Sequence, residues 1–285
     1  MIKPIKYFFE AVIIYSLFLI AKIIGLSLSR KVFAFIFQKV GPLIRSNTSI
    51  NKNLLKYSDN LTLQERTKII SNMWSNYGMT FVEYIFLTIF KKKKSHIQIE
   101  GEEILEEIFN SGKPVIFISG HFANFELMSM EIARKKINLA TIYRPLNNFF
   151  LNPLMEYLRR KYVCKNQIKK GLGGVKDTIE YINNKYSIAL MVDQRVSEGE
   201  RVKFFNTKAL TTTLPGQLAL KYNLSLVPIF IERKNDNSFK MKVYNPIKNT
   251  NFKNKFEITE KLNQIIENMI IENPNQWIWT HDRWK

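Results

Sequence analysis

From residue 97 onward, short continuous apolar runs alternate with stretches that are apolar at helical spacing. The runs are rich in β-branched residues, which predicts strands that are buried on both faces. The predicted strands are Val115–Ser119, Leu139–Tyr143, Ile188–Val192, Leu226–Glu232 and Phe239–Tyr244. The last of them alternates more strictly and is expected at a sheet edge. Helices are predicted at Phe125–Lys136, Asn152–Tyr162, Gly174–Asn183, Thr212–Tyr222 and Ile258–Glu272. This order predicts an α/β fold.

The N-terminal segment is strongly apolar. From Tyr7 to Ile24 its charged residues are Glu10 and Lys22, and with its flanks the segment is long enough to cross a bilayer. A cleaved signal peptide would need a small-residue cleavage pattern, and none follows. A buried core helix is an open alternative. A membrane anchor or interfacial helix is favoured, because a second apolar and basic stretch, Arg30–Arg45, follows at once.

A predicted helical lead-in separates this anchor from the α/β region. The sequence Thr62-Leu-Gln-Glu65 has the form of a capping box, and the following residues are apolar at helical spacing to about Phe90. Four lysines, Lys91–Lys94, end the stretch. The predicted organisation is an anchor at residues 1–45 and a main domain at 46–285, with the lead-in at 61–94 and an α/β core at 97–285.

Composition and charge narrow the class of partner. The chain has 285 residues, of which 46% are hydrophobic and 24% charged, and these fractions exclude a disordered chain. Its net charge of +19 attracts polyanions: nucleic acid, an acidic carrier protein, or phosphates at a membrane. Residues 1–50 hold seven Lys or Arg and one acid, which favours an anionic membrane. The single cysteine, Cys164, excludes an internal disulfide, and no metal site is expected.

The segment Ile118-Ser-Gly-His-Phe-Ala-Asn-Phe-Glu126 carries the strongest chemical signal. A buried strand ends there, Gly120 permits a tight turn, and Asn124 is a suitable N-cap for the next helix. His121 in the turn and Glu126 in the first helical turn can converge, although within one helix they would point about 140° apart. A carboxylate beside an imidazole fixes its tautomer and stabilises the imidazolium. The alternative is a turn-capping His and a Glu that favours a helix N-terminus.

This segment resembles the H-x₄-E motif of the bacterial lipid A biosynthesis acyltransferases, the late lauroyl/myristoyl acyltransferase family. The likeness continues in order through IYRPLNN, the run from MVDQR to LPGQLAL, LVPIFIER and QWIWTHDRW. It implies a fold similar to that of glycerolipid acyltransferases: α/β, with a mixed sheet flanked by helices and an N-terminal membrane-anchoring helix. It also implies fatty acyl transfer from acyl carrier protein to a hydroxyl of a lipid A precursor, a Kdo–lipid IVA-type acceptor. The implied location is the bacterial inner membrane, with the active site on the cytoplasmic face.

The resemblance also implies the roles of catalytic residues. His121 matches the family's catalytic base and Glu126 its carboxylate partner. Arg159 matches the catalytic arginine, with Arg160 as an alternative one position away, and Asp193 matches an acidic position. A direct attack on the thioester is expected, without a covalent acyl-enzyme and without a cofactor.

Further polar residues near this motif are candidates for substrate binding. They are Arg144, Asn124, Arg160 and Thr212. The arginines can clamp phosphates of the acceptor, although such residues also occur as solvated helix charges or as N-caps. The expected partners are acyl carrier protein, a phosphorylated glycolipid and membrane lipids. Nucleic acid is not expected, because the aromatic residues fall mostly within apolar runs.

Some positions depart from the family pattern, and two functional alternatives stay open. The family commonly has Gly where Ala123 and Asn206 stand and Pro where Phe149 stands. Asn tolerates a positive φ, so the turn at Asn206 is expected to survive. One alternative is an acyltransferase for another glycolipid or a phospholipid. The other is a non-catalytic, membrane-tethered anion-binding protein.

Overall fold

The structure is a computed structural model that describes residues 2–45, 47–93 and 95–285. Lys94, the last lysine of the basic run predicted to end the lead-in, lies outside these ranges, as does Ser46 at the predicted start of the main domain.

A mixed sheet of seven strands forms the centre of the described part of the chain. Together with a separate hairpin, the described strands in chain order are β1 (Ile97–Glu100), β2 (Ile116–Ser119), β3 (Leu139–Tyr143), β4 (Asn166–Lys169), β5 (Ser187–Met191), β6 (Glu200–Phe204), β7 (Thr207–Thr211), β8 (Leu226–Arg233) and β9 (Phe239–Val243). The sheet order is β1-β9-β8-β2-β5-β3-β4, and β6 and β7 form a separate antiparallel pair. Neighbours in the sheet are parallel, except that β9 runs antiparallel to β8.

The strands that the apolar runs predict are present, with ends that differ by at most one residue. Every residue of β2 is buried, as expected of a strand covered on both faces. The prediction of β9 at a sheet edge is wrong, because β1 pairs with its outer side. The pattern missed β1, β4 and the β6–β7 hairpin. These strands are partly exposed, so their sequences lack a continuous apolar run.

Helices flank the sheet and precede it. They are α1 (Ile2–Ile44), α2 (Asn47–Tyr57), α3 (Leu63–Glu83), α4 (Leu87–Lys92), α5 (Glu102–Ser111), α6 (Glu126–Arg134), α7 (Asn152–Leu158), α8 (Leu172–Asn183), α9 (Leu214–Tyr222) and α10 (Lys255–Glu272). The predicted capping box at the start of α3 is confirmed: Thr62 accepts a bond from the Glu65 amide, and the Glu65 carboxylate accepts one from the Thr62 amide. A 3₁₀ turn, Tyr84–Phe86, joins α3 to α4, and a π-helical turn, Arg159–Val163, continues α7.

Helix α1 is long and apolar enough, by length and composition, to cross a membrane. Its most apolar 18-residue window has a mean hydropathy of 2.3 and is 17% buried, unlike a core helix. The helix bends at Gly25, whose φ of +78° a glycine adopts without steric cost. Beyond the bend, Arg30 departs from the predicted lipid-facing pattern. It is buried and donates to the carboxylate of Glu83 at the end of α3.

One face of α1 packs closely against α3. Phe18, Ala21 and Phe33 of α1 form a small core with Val82 and two residues of the following turn. At Gly78 the backbones approach so closely that an added Cβ would lie 2.3 Å from the Phe33 carbonyl oxygen. The missing side chain at Gly78 is therefore a condition of this helix contact.

We expect Gly78→Ala to destabilise the protein by about 1–3 kcal/mol, because the methyl group would force α1 and α3 apart. Denaturant unfolding of the detergent-solubilised chain measures the effect. Gly173→Ala is the matched control, because a Cβ at Gly173 would meet no atom within 4 Å. Equal unfolding midpoints for the two variants would contradict the described packing of α1 on α3.

Candidate active site

The site forms where two neighbouring strands end. β2 and β5 are paired in parallel, so their carboxyl ends lie side by side. His121 follows β2, and Asp193 follows β5. Between the strand and His121 lies Gly120, where a Cβ would be 3.3 Å from the Asp193 side chain and closer still to the Phe122 ring. A glycine at this position lets the two strand ends approach each other.

Asp193 holds His121 by two hydrogen bonds. Its Oδ1 lies 2.8 Å from Nδ1 of the imidazole, and its Oδ2 accepts the His121 backbone N–H at 2.9 Å. Trp277 Nε1 donates to the same Oδ2 at 2.8 Å, so the buried carboxylate is well satisfied. These bonds fix the position of the imidazole ring relative to the strand ends.

The ionisation of Asp193 sets the tautomer of His121. Burial raises the pKa of the Asp193 carboxyl, but the charge and hydrogen bonds of His121, with the Trp277 bond, outweigh this effect and lower the pKa to about 2. At neutral pH the carboxylate can therefore only accept hydrogen bonds, so Nδ1 carries the proton. Nε2 is then the basic nitrogen of the ring.

The predicted pairing of His121 with Glu126 is wrong in this structure, since the carboxylate on the imidazole is Asp193. Glu126 is the first residue of α6, and its side chain bonds instead to residues of the turns that follow α3 and α7. Its Oε1 accepts the Tyr84 hydroxyl at 2.6 Å and Arg159 Nε at 2.7 Å. The spacing along the chain does bring Glu126 near the turn that carries His121. At the start of α6, however, its side chain bonds to Tyr84 and Arg159.

Arg159 completes a second polar cluster beside the imidazole. Its terminal nitrogen Nη2 donates to the Tyr84 hydroxyl at 3.1 Å, and its guanidinium lies 5.7 and 5.6 Å from the rings of Tyr84 and Tyr143. Burial has the largest single effect and lowers the pKa of Arg159, but the charges and hydrogen bonds of Glu126 and Tyr84 together outweigh it and raise the pKa above its ordinary value. Arg159 is therefore a permanent cation at the site. Arg160 is exposed, so the structure brings the first of the two arginines to this cluster.

The predicted substrate-binding residues divide into two groups. Arg144 and Thr212 line a cavity next to His121, and the Thr212 hydroxyl also accepts the Leu214 N–H at the start of α9. Asn124 does not fit either predicted role. It is fully buried, α6 begins two residues later, and its side chain donates to Glu83 at 2.9 Å instead of accepting a bond from a helix N–H group.

His121 opens onto a large cavity of about 740 Å³. One wall is apolar and comes from α1, α3 and α7; it includes Ile14, Phe18, Phe81, Leu154 and Met155. The cavity also carries the cations Arg45, Arg159, Arg195 and Lys285. A smaller cavity of about 230 Å³ also contains His121 and Arg159, and adds Arg144, Lys170 and Thr212. The imidazole thus faces space with apolar walls and a basic rim.

The sequence reasoning missed several residues of the site. Tyr84 was missed because it lies in an apolar run. Its hydroxyl, a polar group among apolar neighbours, was the one feature that could have marked it as a site residue. His281 lines both cavities and accepts the Arg195 N–H through Nε2 at 2.9 Å; burial lowers its pKa. Within residues 2–45, 47–93 and 95–285, no group of three or more His, Cys, Asp or Glu side chains is arranged to hold a metal ion.

The backbone around the site bears on the departures from the family pattern. Ala123 adopts a φ of +43°, a conformation in which glycine is less strained. Asn206 has a φ of +57°, which confirms that asparagine keeps the expected turn.

Comparison with known proteins defines the class. The chain is an acyltransferase: the family model and the named relatives agree on this activity. It belongs to the bacterial lipid A biosynthesis acyltransferase family, whose model matches residues 3–285. Its activity is therefore acyl transfer in lipid A biosynthesis, and the alternative of a non-catalytic anion-binding protein falls away. The family and the long apolar helix α1 together support membrane association.

The individual similarities are low but extend over most of the chain. It is 24% identical over 222 residues to lipid A biosynthesis acyltransferase 2 of Shigella flexneri, covering 75% of this chain and 70% of the relative. It is 23% identical over 265 residues to the lipid A biosynthesis palmitoleoyltransferase of Escherichia coli strain K12, covering 89% and 85%. A crystal structure of the 1-acyl-sn-glycerophosphate acyltransferase of Thermotoga maritima covers 89% of this chain and 100% of its own, with 12% identity and a TM-score of 0.43.

Proposed function

We propose that this protein transfers a fatty acyl chain from acyl carrier protein to a hydroxyl of a lipid A precursor of the Kdo–lipid IVA type. The observation that supports it best is the His121–Asp193 pair at a cavity with an apolar wall and a cationic rim. The apolar wall suits a hydrocarbon chain. The cations suit a phosphorylated acceptor and an acidic carrier protein.

In the proposed reaction, Nε2 of His121 removes the proton of the acceptor hydroxyl while its oxygen attacks the thioester carbonyl. Asp193 stabilises the imidazolium that forms, because it is ionised and bonded to Nδ1. The tetrahedral intermediate then collapses, the carbon–sulfur bond breaks, and the imidazolium returns its proton to the leaving thiolate. The products are the new ester and the free thiol of the carrier.

Arg159 is the proposed stabiliser of the oxyanion. Its Nε and Nη2 are bonded to Glu126 and Tyr84, and no described residue bonds to Nη1. A cation that is held rigidly and has a spare donor stabilises negative charge that develops on the thioester oxygen. Glu126 then acts by holding Arg159, rather than by orienting the imidazole.

We infer that no covalent acyl-enzyme forms, and the direct attack proposed above needs no cofactor. Cys164 is buried, its thiol donates to the Leu139 carbonyl oxygen at 3.2 Å, and burial raises the pKa of the thiol to about 11. A thiol that stays protonated at neutral pH is a poor nucleophile.

Cys164→Ala is therefore expected to keep the wild-type kcat. The smaller side chain should lower the unfolding midpoint slightly, because some core packing is lost. Steady-state kinetics and the unfolding midpoint of the purified variant check both expectations. A loss of transfer with an unchanged midpoint would instead place the thiol in the reaction.

The proposed location is the bacterial inner membrane, with the site on the cytoplasmic side. Cations that follow the apolar segment, among them Lys31 and Lys39, support this orientation by the positive-inside rule. Helix α1 both exposes apolar side chains and lines the cavity with Ile14 and Phe18. An acceptor embedded in the membrane would therefore reach His121 beside the anchor.

The test is a panel of donors and acceptors with the purified full-length chain. Acyl carrier proteins loaded with C10 to C16 chains are each combined with Kdo-bearing lipid A precursor, with other glycolipids and with phospholipids, and mass spectrometry follows the acceptor. The proposal predicts a gain of one acyl chain on the lipid A precursor. A gain on a phospholipid or another glycolipid in place of the precursor would overturn the proposed acceptor.

A further inference from the structure

A buried carboxylate lies behind the turn that carries His121. Glu83, the last residue of α3, has no exposed surface. Its Oε1 accepts Arg30 Nε of α1 and Arg233 Nη1 at the end of β8, and its Oε2 accepts Arg233 Nη2 at 3.0 Å. Two arginines therefore contact one buried carboxylate. The bidentate contact of Arg233 alone already balances the charge of Glu83, so Arg30 is an additional cation.

The same group of residues contacts the turn between β2 and α6. Glu83 Oε2 accepts the Asn124 side chain at 2.9 Å. Thr80, one helical turn earlier, donates to the Ala123 carbonyl oxygen at 2.9 Å and accepts from Arg233 at 3.2 Å. Tyr84, the next residue after Glu83, donates to Glu126. The end of α3 thus holds consecutive parts of the turn that presents His121, including Ala123 in its left-handed conformation.

Arg30 is only partly satisfied in the interior, although its guanidinium lies 5.5 Å from the Phe90 ring and 5.9 Å from the Phe239 ring. It is buried, and its Nη2 has no hydrogen-bond partner among the described residues. An incompletely satisfied buried cation is costly, and a whole buried ion pair can often be replaced by apolar residues without loss of stability. What Arg30 adds is a connection, because it joins the membrane helix α1 to the carboxylate that holds the turn.

We propose that Glu83 is a positioning residue, through which docking of α1 by Arg30 sets the geometry of residues 121–126 for acyl transfer. The link runs from Arg30 to Glu83, then through Asn124 to the turn. With α1 docked, the turn is held in the geometry that places His121 on Asp193. When the Arg30 contact is removed, Glu83 and Arg233 remain a neutral pair and the fold persists, but the turn loses its exact support. This inference rests on the proposed role of His121.

The experiment replaces Arg30 by methionine and by lysine in the full-length chain in detergent or bilayer nanodiscs. Arg30→Met is expected to lower kcat about 10–100-fold while the KM for the acyl donor stays within twofold, since a shift of about 1 Å in a reacting group can have an effect of this size. Arg30→Lys keeps a cation within reach of Glu83 and is expected to recover most of the loss. A role limited to stability would change neither the kcat of the folded enzyme nor its ratio to KM.

Arg134→Met is the matched control. Arg134 is a partly buried arginine that pairs with Glu131 within α6 and donates to the Phe90 carbonyl oxygen, away from His121. It is expected to lower the unfolding midpoint and to leave kcat unchanged. Thr80→Val provides a milder second variant that removes the bond to Ala123, and it should lower kcat with KM unchanged even if Arg30→Met does not fold.

Full kcat in Arg30→Met, or in Thr80→Val when the first variant does not fold, would overturn the positioning role. A rise in KM at unchanged kcat would overturn it equally. His121→Ala is measured in parallel, because activity in that variant would remove the proposed function itself. An inactive His121→Ala beside a fully active Arg30→Met would contradict the positioning role alone.

Discussion

Replacing His121 by alanine is expected to abolish measurable acyl transfer, a loss of at least about 10³-fold in kcat. The imidazole is the base that makes the acceptor hydroxyl nucleophilic, and as the imidazolium it returns the proton to the leaving thiolate. Removing a group with both roles lowers kcat by a factor of this order. The side chain is partly exposed to the cavity, so its removal should leave the fold intact. Initial rates with the purified chain, normalised to folded protein, measure the effect.

His96→Asn is the control for this variant, because His96 lies beside Phe90 and Glu131 rather than at the cavity. It is expected to transfer acyl groups at the wild-type rate. Membrane association should be the same in the two variants. Turnover by His121→Ala that is comparable to the wild type would remove His121 from the mechanism.

Asp193→Asn is expected to lower kcat by about 10³–10⁴-fold, the size of effect known for the equivalent change in serine proteases. An asparagine amide that occupies the carboxylate position can donate to Nδ1, which would move the imidazole proton to Nε2. The ring would then lack its base at the nitrogen that faces the acceptor. The loss of negative charge also removes the stabilisation of the imidazolium.

The pH dependence of kcat tests the ionisation of Asp193 on which this explanation depends. The pKa of Asp193 is about 2, because the interactions with His121 outweigh the effect of burial, so the carboxylate stays ionised from pH 5 to 9. The wild-type profile over that range should therefore contain no step from Asp193, and the variant should stay low at every pH. Asp236→Asn, at an exposed turn, is the control with expected wild-type activity. A variant of Asp193 with more than about a tenth of wild-type kcat would contradict the tautomer argument.

The fold could be predicted where burial leaves a clear pattern. β2 and β8 are buried along almost their whole length, and their apolar runs marked them. β1 and the β6–β7 pair are half exposed, and their mixed sequences gave no such pattern. The same physical reason explains the misplaced edge strand, since β1, which covers β9, was not visible in the sequence.

The site was predictable in its residues but not in its pairings. His121, Glu126, Arg159 and Asp193 all lie at one place, as the motif and the resemblance implied. Proximity along the chain suggested Glu126 as the partner of His121, whereas the partner is Asp193, 72 positions away. That contact depends on β5 lying next to β2, and strand order is not encoded in any local pattern.

Buried polar residues on helices were the hardest to predict. Glu83 and Tyr84 stand in an apolar run and read as ordinary helix residues. Their role depends on which side chains the fold brings to the end of α3. Arg30 was misjudged for a related reason: a basic residue in an apolar helix fits a lipid-facing pattern equally well, until the opposite carboxylate is known.

The central claim is that the acyl chain passes straight from the carrier to the acceptor and that this step needs His121. It is tested best by a single-turnover reaction, followed by mass spectrometry of both the acceptor and the intact enzyme. Acyl carrier protein that bears one acyl chain is mixed with excess enzyme and lipid A precursor, and samples are quenched over time. The account predicts that the acceptor gains one acyl mass, that the enzyme never gains one, and that His121→Ala yields no acylated acceptor. An acyl mass that appears on the enzyme and then passes to the acceptor would contradict direct attack, and an active His121→Ala would contradict the role of His121.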